Sequence, residues 1–145
     1  MRVLFQLVPG AWHGPATETV WAEHVDQRSF RLRNVPFFVF GVSIEDVVFA
    51  RATEGIYEFE GVSIRGGHST YRIITRAADS TEPLGQQWRA LEQLGCTYEQ
   101  GPGNLKAVDV PPEANIYKVY ELLEQGEHEG VWDFEEGHCG HPLDG

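Results

Sequence analysis

The densest group of chemically reactive side chains in this sequence lies near its end, in residues 135–141, which read EEGHCGH. Two imidazoles flank one of only two cysteines in the chain, and two carboxylates precede them. A second segment, residues 66–70, reads GGHST and places an imidazole beside two hydroxyl groups. Thiols, imidazoles and hydroxyls serve in nucleophilic catalysis, and thiols and imidazoles also bind zinc.

The first interpretation of these segments is a catalytic site. A cysteine beside an imidazole can form a thiolate–imidazolium pair, the arrangement that activates a thiol as a nucleophile. Neighbouring side chains of an extended segment point in opposite directions, so His68 is a better partner for Cys139 than His138 is. This interpretation predicts a thiol-based hydrolase or transferase in which His68, Ser69 and Cys139 are catalytic.

The second interpretation is a metal site. His138, Cys139 and His141, together with His68, would supply the nitrogen and sulfur ligands that suit zinc. These residues form one short cluster rather than the two paired clusters of a structural zinc site. This interpretation predicts a metal-assisted hydrolase, with zinc as the only candidate cofactor. A binding protein, the function considered below, would require no cofactor.

The third interpretation is structural. The imidazoles and hydroxyls could hydrogen-bond backbone groups that the end of a β-sheet leaves without partners. Buried polar groups need such partners, so a cap of this kind requires no further motif. The three interpretations stay open at the level of the sequence.

The elements that must position these segments fall into two parts. Residues 1–66 show five or six short runs with strand periodicity, separated by turns, which predict a small antiparallel β-barrel or curled sheet. In residues 67–145 the strand and helix periodicities follow one another in the order β-α-β-β-α-β, which is the ferredoxin-like arrangement. The predicted fold class is α+β, with a barrel-like module in residues 1–66 and a ferredoxin-like module in residues 67–145.

Helix and strand boundaries can be predicted within the second part. The first helix is expected to begin at residues 80–83, which read STEP, and to end at Gly95. The second helix is expected to open at Pro111 and to stop at Gly126, and the last strand to span residues 131–135. Apolar spacing in the whole chain assigns three tryptophans to the core: Trp21, Trp88 and Trp132.

The expected topology brings the two reactive segments together. In a ferredoxin-like sheet the last strand lies beside the first and runs in the opposite direction. The segment after the last strand should therefore reach residues 66–70, at the boundary between the modules, where pockets are common. Three strand spacings of about 4.8 Å separate Cys96 from the last strand, so no disulfide with Cys139 is expected. The predicted constellation has six side chains: His68, Ser69, Glu136, His138, Cys139 and His141.

The charge of the chain is unevenly distributed. Residues 1–95 carry 11 acids and 9 bases, whereas residues 96–145 carry 11 acids and only two lysines, so −9 of the net −11 lies in the last third. This charge would repel phosphate backbones, which argues against nucleic acid as a ligand, and would attract a basic protein partner. The expected partner-binding residues are four acids and one loop tryptophan: Glu121, Glu124, Glu127, Glu129 and Trp12.

The sequence also predicts a compartment. No apolar run approaches the roughly 18 residues of a membrane-spanning helix, and residues 3–7 are too short an apolar stretch for a signal peptide. A cytoplasmic location without membrane association is therefore expected, and with it two free thiols. The sequence gives no indication of the oligomeric state.

Eight short segments carry a resemblance to a known family: VWAE at 20–23, NVPFF at 34–38, GVS at 41–43, DVV at 46–48, GHSTYR at 67–72, LGCTYE at 94–99, AVDVPP at 107–112 and EEGHCGHP at 135–142. By these segments, which extend over nearly the whole chain, the sequence resembles an uncharacterised bacterial family, domain-of-unknown-function family 4265. The resemblance implies a compact bacterial protein. It implies no activity, cofactor or catalytic residue.

Size, charge and the lack of a complete catalytic motif favour a binding function. The predicted function is a small acidic cytosolic binding protein that neutralises or regulates a protein partner, for example an immunity protein against a bacterial toxin. The alternative is a hydrolase or transferase that uses His68, Cys139, His138 and His141, either thiol-based or metal-assisted.

Overall fold

The computed structural model of the chain describes residues 1–7, 16–76 and 85–143. The loop around Trp12 and the expected start of the first helix at residues 80–83 lie outside the described residues. The described residues form these strands and helices: β1 Arg2–Gln6, β2 Thr17–His24, β3 Ser29–Leu32, β4 Val47–Thr53, β5 Ile56–Ile64, β6 Ser69–Thr75, α1 Gly85–Gln93, β7 Thr97–Gln100, β8 Leu105–Val110, α2 Ile116–His128 and β9 Trp132–His138.

Strands β1 to β5 form a closed barrel in sequence order. Neighbouring strands are antiparallel except β1 and β5, which pair in parallel. The barrel encloses one apolar cluster because alternate side chains point inward, among them Val3 and Phe5 of β1 and Phe30 and Leu32 of β3. The first part of the chain is a curled, mostly antiparallel sheet, as predicted, and the parallel pair that closes it is a feature that the sequence did not predict.

Strands β6 to β9 form a second, fully antiparallel sheet in the order β7-β8-β6-β9. Both helices pack on one of its faces, where Tyr71 and Ile73 of β6 share an apolar cluster with Leu91 of α1 and Leu123 of α2. Neither helix of the described residues has the length and apolar character needed to cross a membrane. The fold is α+β, with mostly antiparallel sheet and two short helices.

Helix α2 begins later and ends later than the sequence predicted. It begins at Ile116, rather than at the prolines, because Asn115 caps it: the Asn115 Oδ1 atom accepts hydrogen bonds from two N–H groups of the first turn, at 3.1 and 3.2 Å. It continues through Gly126 to His128. Gly126 does not end the helix; it is a position of close packing, where the backbone lies against the indole of Trp132.

Two further predictions about β-strands need correction. Strand β9 extends to His138 instead of ending at Glu135, so part of the reactive segment belongs to the sheet. Trp88 and Trp132 are buried as predicted, but Trp21 is 51% exposed. Trp21 points outward because the residues on either side of it in β2 are buried inside the barrel.

The loop between β3 and β4, residues 33–46, joins the barrel to the second sheet. The Gly41 N–H donates a hydrogen bond of 2.9 Å to the carbonyl oxygen of Gly137 in β9. The hydroxyls of Ser43 and Thr70 form a hydrogen bond of 2.6 Å, and both residues are fully buried. These contacts place the first residues of β6 and the last residues of β9 beside the loop.

Candidate functional site

The segment after β9 returns to the start of β6. The Gly140 N–H donates to the Ser69 Oγ atom at 2.9 Å, and Ser69 Oγ lies 2.6 Å from the Nδ1 atom of His141. His138 pairs with Thr70 in the sheet. The two reactive segments of the sequence therefore meet, as the strand order required.

The hydrogen bonds of His141 define a latch, the contacts among Ser69, Pro111, Gly140 and His141. The His141 Nε2 atom lies 2.8 Å from the carbonyl oxygen of Pro111, which can only accept, so Nε2 carries the proton. In the neutral imidazole Nδ1 then accepts from the Ser69 hydroxyl, whose oxygen accepts from Gly140. His141 is only 7% exposed. These are the contacts of a sheet-end cap.

His68 and Cys139 do not form the expected pair. His68 Nδ1 lies 2.8 Å from Oδ1 of Asp109 in β8, and both side chains are mostly buried. The Cys139 Sγ atom donates weakly to the carbonyl oxygen of His141 at 3.7 Å. The separation follows from the strand order, because β8 and β9 flank β6 on opposite sides. Within the described residues, no hydrogen bond or ion pair joins an imidazole to the Cys139 thiol.

The expected metal cluster is also divided. Both ring nitrogens of His141 are engaged by the latch, and the His138 Nε2 atom lies 3.4 Å from the guanidinium of Arg65. In the described parts of the chain, no three histidine, cysteine or carboxylate side chains converge closely enough to hold a metal ion. The zinc ligand set predicted from His68, His138, Cys139 and His141 is therefore not assembled there.

His138 makes stability depend on pH. Burial, followed by the positive charge of Arg65, lowers the pKa of His138 below its ordinary value of 6.5, while Asp46 and Glu136 oppose this shift. Between the lowered pKa and 6.5 the unfolded chain binds more protons, so the free energy of unfolding should fall as the pH falls through this range. The free energy of unfolding, measured in urea at pH 7.5 and at pH 5, should decrease less between these two pH values in His138→Gln than in the parent protein. An equal loss would contradict the assignment to His138.

The two cysteines are free thiols, as predicted, and differ in environment. Cys96 is buried, and burial and then the charge of Asp109 raise the pKa of its thiol to about 12. Iodoacetamide at pH 8 should therefore modify Cys139 in the folded protein and Cys96 only after unfolding, as measured by mass spectrometry. We expect Cys139 to react no faster than a free thiol; a much faster reaction would support the thiolate interpretation.

The side chain of Cys139 faces a cavity of about 300 Å³ between α2, β9 and the segment after β9, which we call the α2 groove. Its walls are largely apolar and aromatic, and its rim is acidic. Nine residues line it: Tyr71, Ile116, Tyr117, Tyr120, Glu121, Glu124, Glu136, Cys139 and Leu143. Four of these residues, at positions 117, 120, 121 and 124, share one face of α2 because their spacing matches the helical period.

A buried tyrosine forms the floor of the groove. Tyr71 is 1% exposed, and its hydroxyl donates a hydrogen bond of 2.9 Å to Oε1 of Glu136. Burial, and then this carboxylate, raises the pKa of Tyr71, so the phenol remains a neutral donor. The ring centroid of Tyr120 lies 6.3 Å from that of Tyr71 and 5.6 Å from that of Phe134. The floor is thus an aromatic surface with one oriented carboxylate.

The acids predicted to bind a partner divide into two groups. Glu121 and Glu124 line the groove. Glu127 accepts a hydrogen bond of 3.1 Å from the backbone of Phe134, and Glu129 accepts bonds of 3.0 Å from two glutamine side chains. Glu127 and Glu129 therefore support neighbouring elements, and Trp12 lies outside the described residues.

Sequence reasoning missed the burial of Arg72 in β6, which is 1% exposed. Its guanidinium donates to the carbonyl oxygen of Val39 and lies 3.6 Å from a carboxylate oxygen of Glu135. Burial lowers the pKa of Arg72, and Glu135 and then Glu18 oppose the shift. The alternation of β6 was the available signal, because Tyr71 on the helix-covered face puts Arg72 on the opposite face, where Pro36 and Val39 of the loop between β3 and β4 lie against it.

Comparisons with known proteins address the fold. The structure is similar to one described as "Novel crystal structure of a hypothetical protein from Neisseria gonorrhoeae", with a TM-score of 0.81 over 97% of this chain and 96% of that chain. The two sequences are 17% identical, so the likeness concerns the fold alone. No curated protein matches the chain. The family model of a domain of unknown function, DUF4265, matches residues 18–134, and since this is most of the sequence, the chain belongs to that family.

Proposed function

We propose that this chain is a small acidic cytosolic protein that binds, and thereby neutralises or regulates, a basic protein partner. An immunity protein that inhibits a nucleic-acid-directed toxin would belong to this class. The observation that carries the proposal is the α2 groove: three carboxylates, those of Glu121, Glu124 and Glu136, surround an aromatic cavity. Within the described residues, no ion pair joins any of them to an arginine or lysine.

Electrostatic complementarity supports a basic partner. Carboxylates without a basic partner at the rim of a cavity attract cationic groups and repel phosphates. A surface of one charge sign also raises the rate at which a partner of opposite charge associates. The groove also lies in the part of the chain that carries −9 of the net charge. The enzyme alternative has less support, because His68 hydrogen-bonds Asp109 and not the Cys139 thiol.

We also propose that residues 67–143 form a ferredoxin-like module that follows the barrel. The proposal is supported by the element order β6-α1-β7-β8-α2-β9 and by the strand order β7-β8-β6-β9. The proposed module boundary, at residues 66 and 67, falls between β5 and β6. In this arrangement α2 lies over β9, and the groove forms where helix, strand and the following segment meet.

Charge reversal in the groove tests the function. The probe is a fluorescein-labelled nine-residue peptide in which arginine and alanine alternate, and its binding is measured by fluorescence anisotropy at 50 and 300 mM NaCl. We expect the parent protein to bind it and Glu121→Lys/Glu124→Lys to bind at least about tenfold more weakly, a loss of about 1.4 kcal/mol. Binding by the parent should weaken at the higher salt concentration.

The matched control is Glu54→Lys/Glu60→Lys, which changes the net charge equally at two exposed positions of the barrel. It should retain the parent affinity within about threefold, because neither residue lines the groove and the influence of an exposed charge decays over a Debye length, which is about 10 Å at 0.1 M salt. An equal loss in both double variants would indicate attraction to net charge alone. No loss in either variant would exclude the groove as the contact site.

A further inference from the structure

We propose that the α2 groove receives a single arginine side chain of the partner, which anchors the complex. This inference rests on the proposed function and specifies the chemistry that the site recognises. Interfaces commonly concentrate their binding energy in a few residues that fill well-packed pockets, and arginine is among the residue types most enriched there.

The size of the groove limits the occupant. A cavity of about 300 Å³ is at the lower end of the range found for ligand pockets, roughly 300–1,000 Å³. An α-helix with its side chains is about 10–12 Å in diameter and would not enter such a cavity. One long side chain projecting from a peptide surface has a suitable size.

The distribution of apolar and charged groups limits the chemistry of that side chain. Ile116, Leu143 and the Cys139 thiol provide apolar contacts, whereas the carboxylates are contributed by α2 and β9. A long side chain with an aliphatic stem and a cationic head would satisfy both, because such residues pack the stem on apolar surface and keep the charge near polar groups. A wholly apolar side chain would contact the apolar wall but leave the carboxylates without a partner. A side chain that ends in a carboxylate would be repelled by them.

The aromatic rings and the fixed carboxylate favour arginine over lysine. A planar guanidinium can stack on a tyrosine ring and donate several hydrogen bonds in a rigid fork, whereas an ammonium group is a compact and strongly hydrated charge. Tyr120, a lining residue of the groove, is 42% exposed, so its aromatic side chain is accessible to a ligand. The Tyr71 hydroxyl holds one oxygen of Glu136, and within the described residues its other oxygen has no hydrogen bond, so that oxygen can accept from the ligand.

A peptide series tests the anchor directly. The probe is a nine-residue peptide with one central arginine and constant flanking lysines; the arginine is replaced in turn by lysine, citrulline or norleucine. Isothermal titration calorimetry should show a loss of about tenfold for lysine and a larger loss for citrulline, which retains the planar shape but not the charge. The Glu136→Gln variant keeps an acceptor for Tyr71 and should weaken binding of the arginine peptide far more than that of the citrulline peptide.

Aromatic and charge variants localise the contact. Tyr120→Ala should weaken arginine binding, and Tyr120→Phe, which keeps the ring, should restore it to within about twofold of the parent. Glu113→Gln serves as the control for loss of an exposed carboxylate outside the groove and should have no effect. Urea unfolding of each variant separates loss of contact from loss of folding.

Protection of Cys139 provides an independent readout. Because the thiol lines the cavity, saturating arginine peptide should slow its alkylation by iodoacetamide, and the norleucine peptide should not. If lysine and arginine peptides bind equally and Glu136→Gln has no effect, the anchor is excluded while the proposed function stands. If none of the basic peptides binds the protein and none slows the alkylation of Cys139, both proposals fail.

Discussion

Replacing Gly126 by alanine is expected to destabilise the folded protein by about 1–3 kcal/mol. At an exposed helical position the same substitution would stabilise by about 1 kcal/mol, because alanine has the higher helix propensity. At position 126 the added methyl group would overlap the Trp132 indole and lie 2.7 Å from its Nε1 atom. The indole cannot easily move away, because it is fully buried and its N–H donates to the carbonyl oxygen of Leu123 at 3.0 Å.

Urea unfolding monitored by circular dichroism measures this effect. The control is Gly61→Ala in β5, where an added Cβ atom would have no neighbour within 4 Å. We expect the control to change the midpoint little and Gly126→Ala to lower it clearly at an unchanged m-value. Equal midpoints for the two variants would mean that the α2–β9 contact tolerates a methyl group, in conflict with the observed packing.

Replacing His141 by alanine should have a comparable or larger effect, a loss of about 2–4 kcal/mol. The substitution removes the donor to the partly buried carbonyl oxygen of Pro111 and the acceptor for the hydroxyl of Ser69, which is fully buried. An unsatisfied buried polar group costs about 1–3 kcal/mol, and the missing imidazole leaves a space at the sheet end as well. Ser69 retains one hydrogen bond, from Gly140, which limits the loss.

A double-mutant cycle tests whether the latch acts as a unit. The free energies of unfolding of Ser69→Ala, His141→Ala and the double variant should reveal a coupling of about 0.5–3 kcal/mol. The control His128→Ala removes an exposed imidazole at the end of α2 and should change stability by less than about 0.5 kcal/mol at pH 8. Strict additivity of Ser69→Ala and His141→Ala would show that the latch does not couple these side chains.

The latch also connects stability with the proposed site. Cys139 and Leu143 lie on either side of His141 and contribute to one wall of the α2 groove. Loosening the segment should therefore weaken binding of the arginine peptide even where the fold remains intact. Thiol alkylation of His141→Ala should report this change as a faster reaction of Cys139.

The meeting of the two reactive segments could be predicted because it depends only on strand order. Once the last strand lies beside the first strand of its sheet and antiparallel to it, the segment after the last strand must arrive near the segment before that first strand. The pairing of individual side chains could not be predicted in this way. An irregularity between Thr70 and Tyr71 alters the pairing so that His138 lies opposite Thr70 while Glu136 lies opposite Tyr71. Such local shifts depend on packing and turn geometry, which the sequence pattern does not express.

The α2 groove illustrates the same division. The helical spacing of Tyr117, Tyr120, Glu121 and Glu124 can be read from the sequence, and the excess of acids in this region was the basis for predicting a partner surface. The sequence did not indicate that β9 and the segment after it would complete a cavity beneath that face. It also did not separate Glu121 and Glu124, which line the cavity, from Glu127 and Glu129, which hydrogen-bond neighbouring elements.

The sequence by itself determined the α+β class, most of the strand and helix positions, the location of the negative charge and the return of the last segment to β6. These properties follow from local periodicity, composition and connection order, which need no knowledge of distant contacts. Only the tertiary structure decided that His68 bonds Asp109, that His141 closes a latch instead of holding a metal, and that Cys139 faces an aromatic groove. These outcomes depend on which side of β6 each neighbouring strand occupies and on the direction of each side chain, and such relations between residues far apart in the chain exist only after folding.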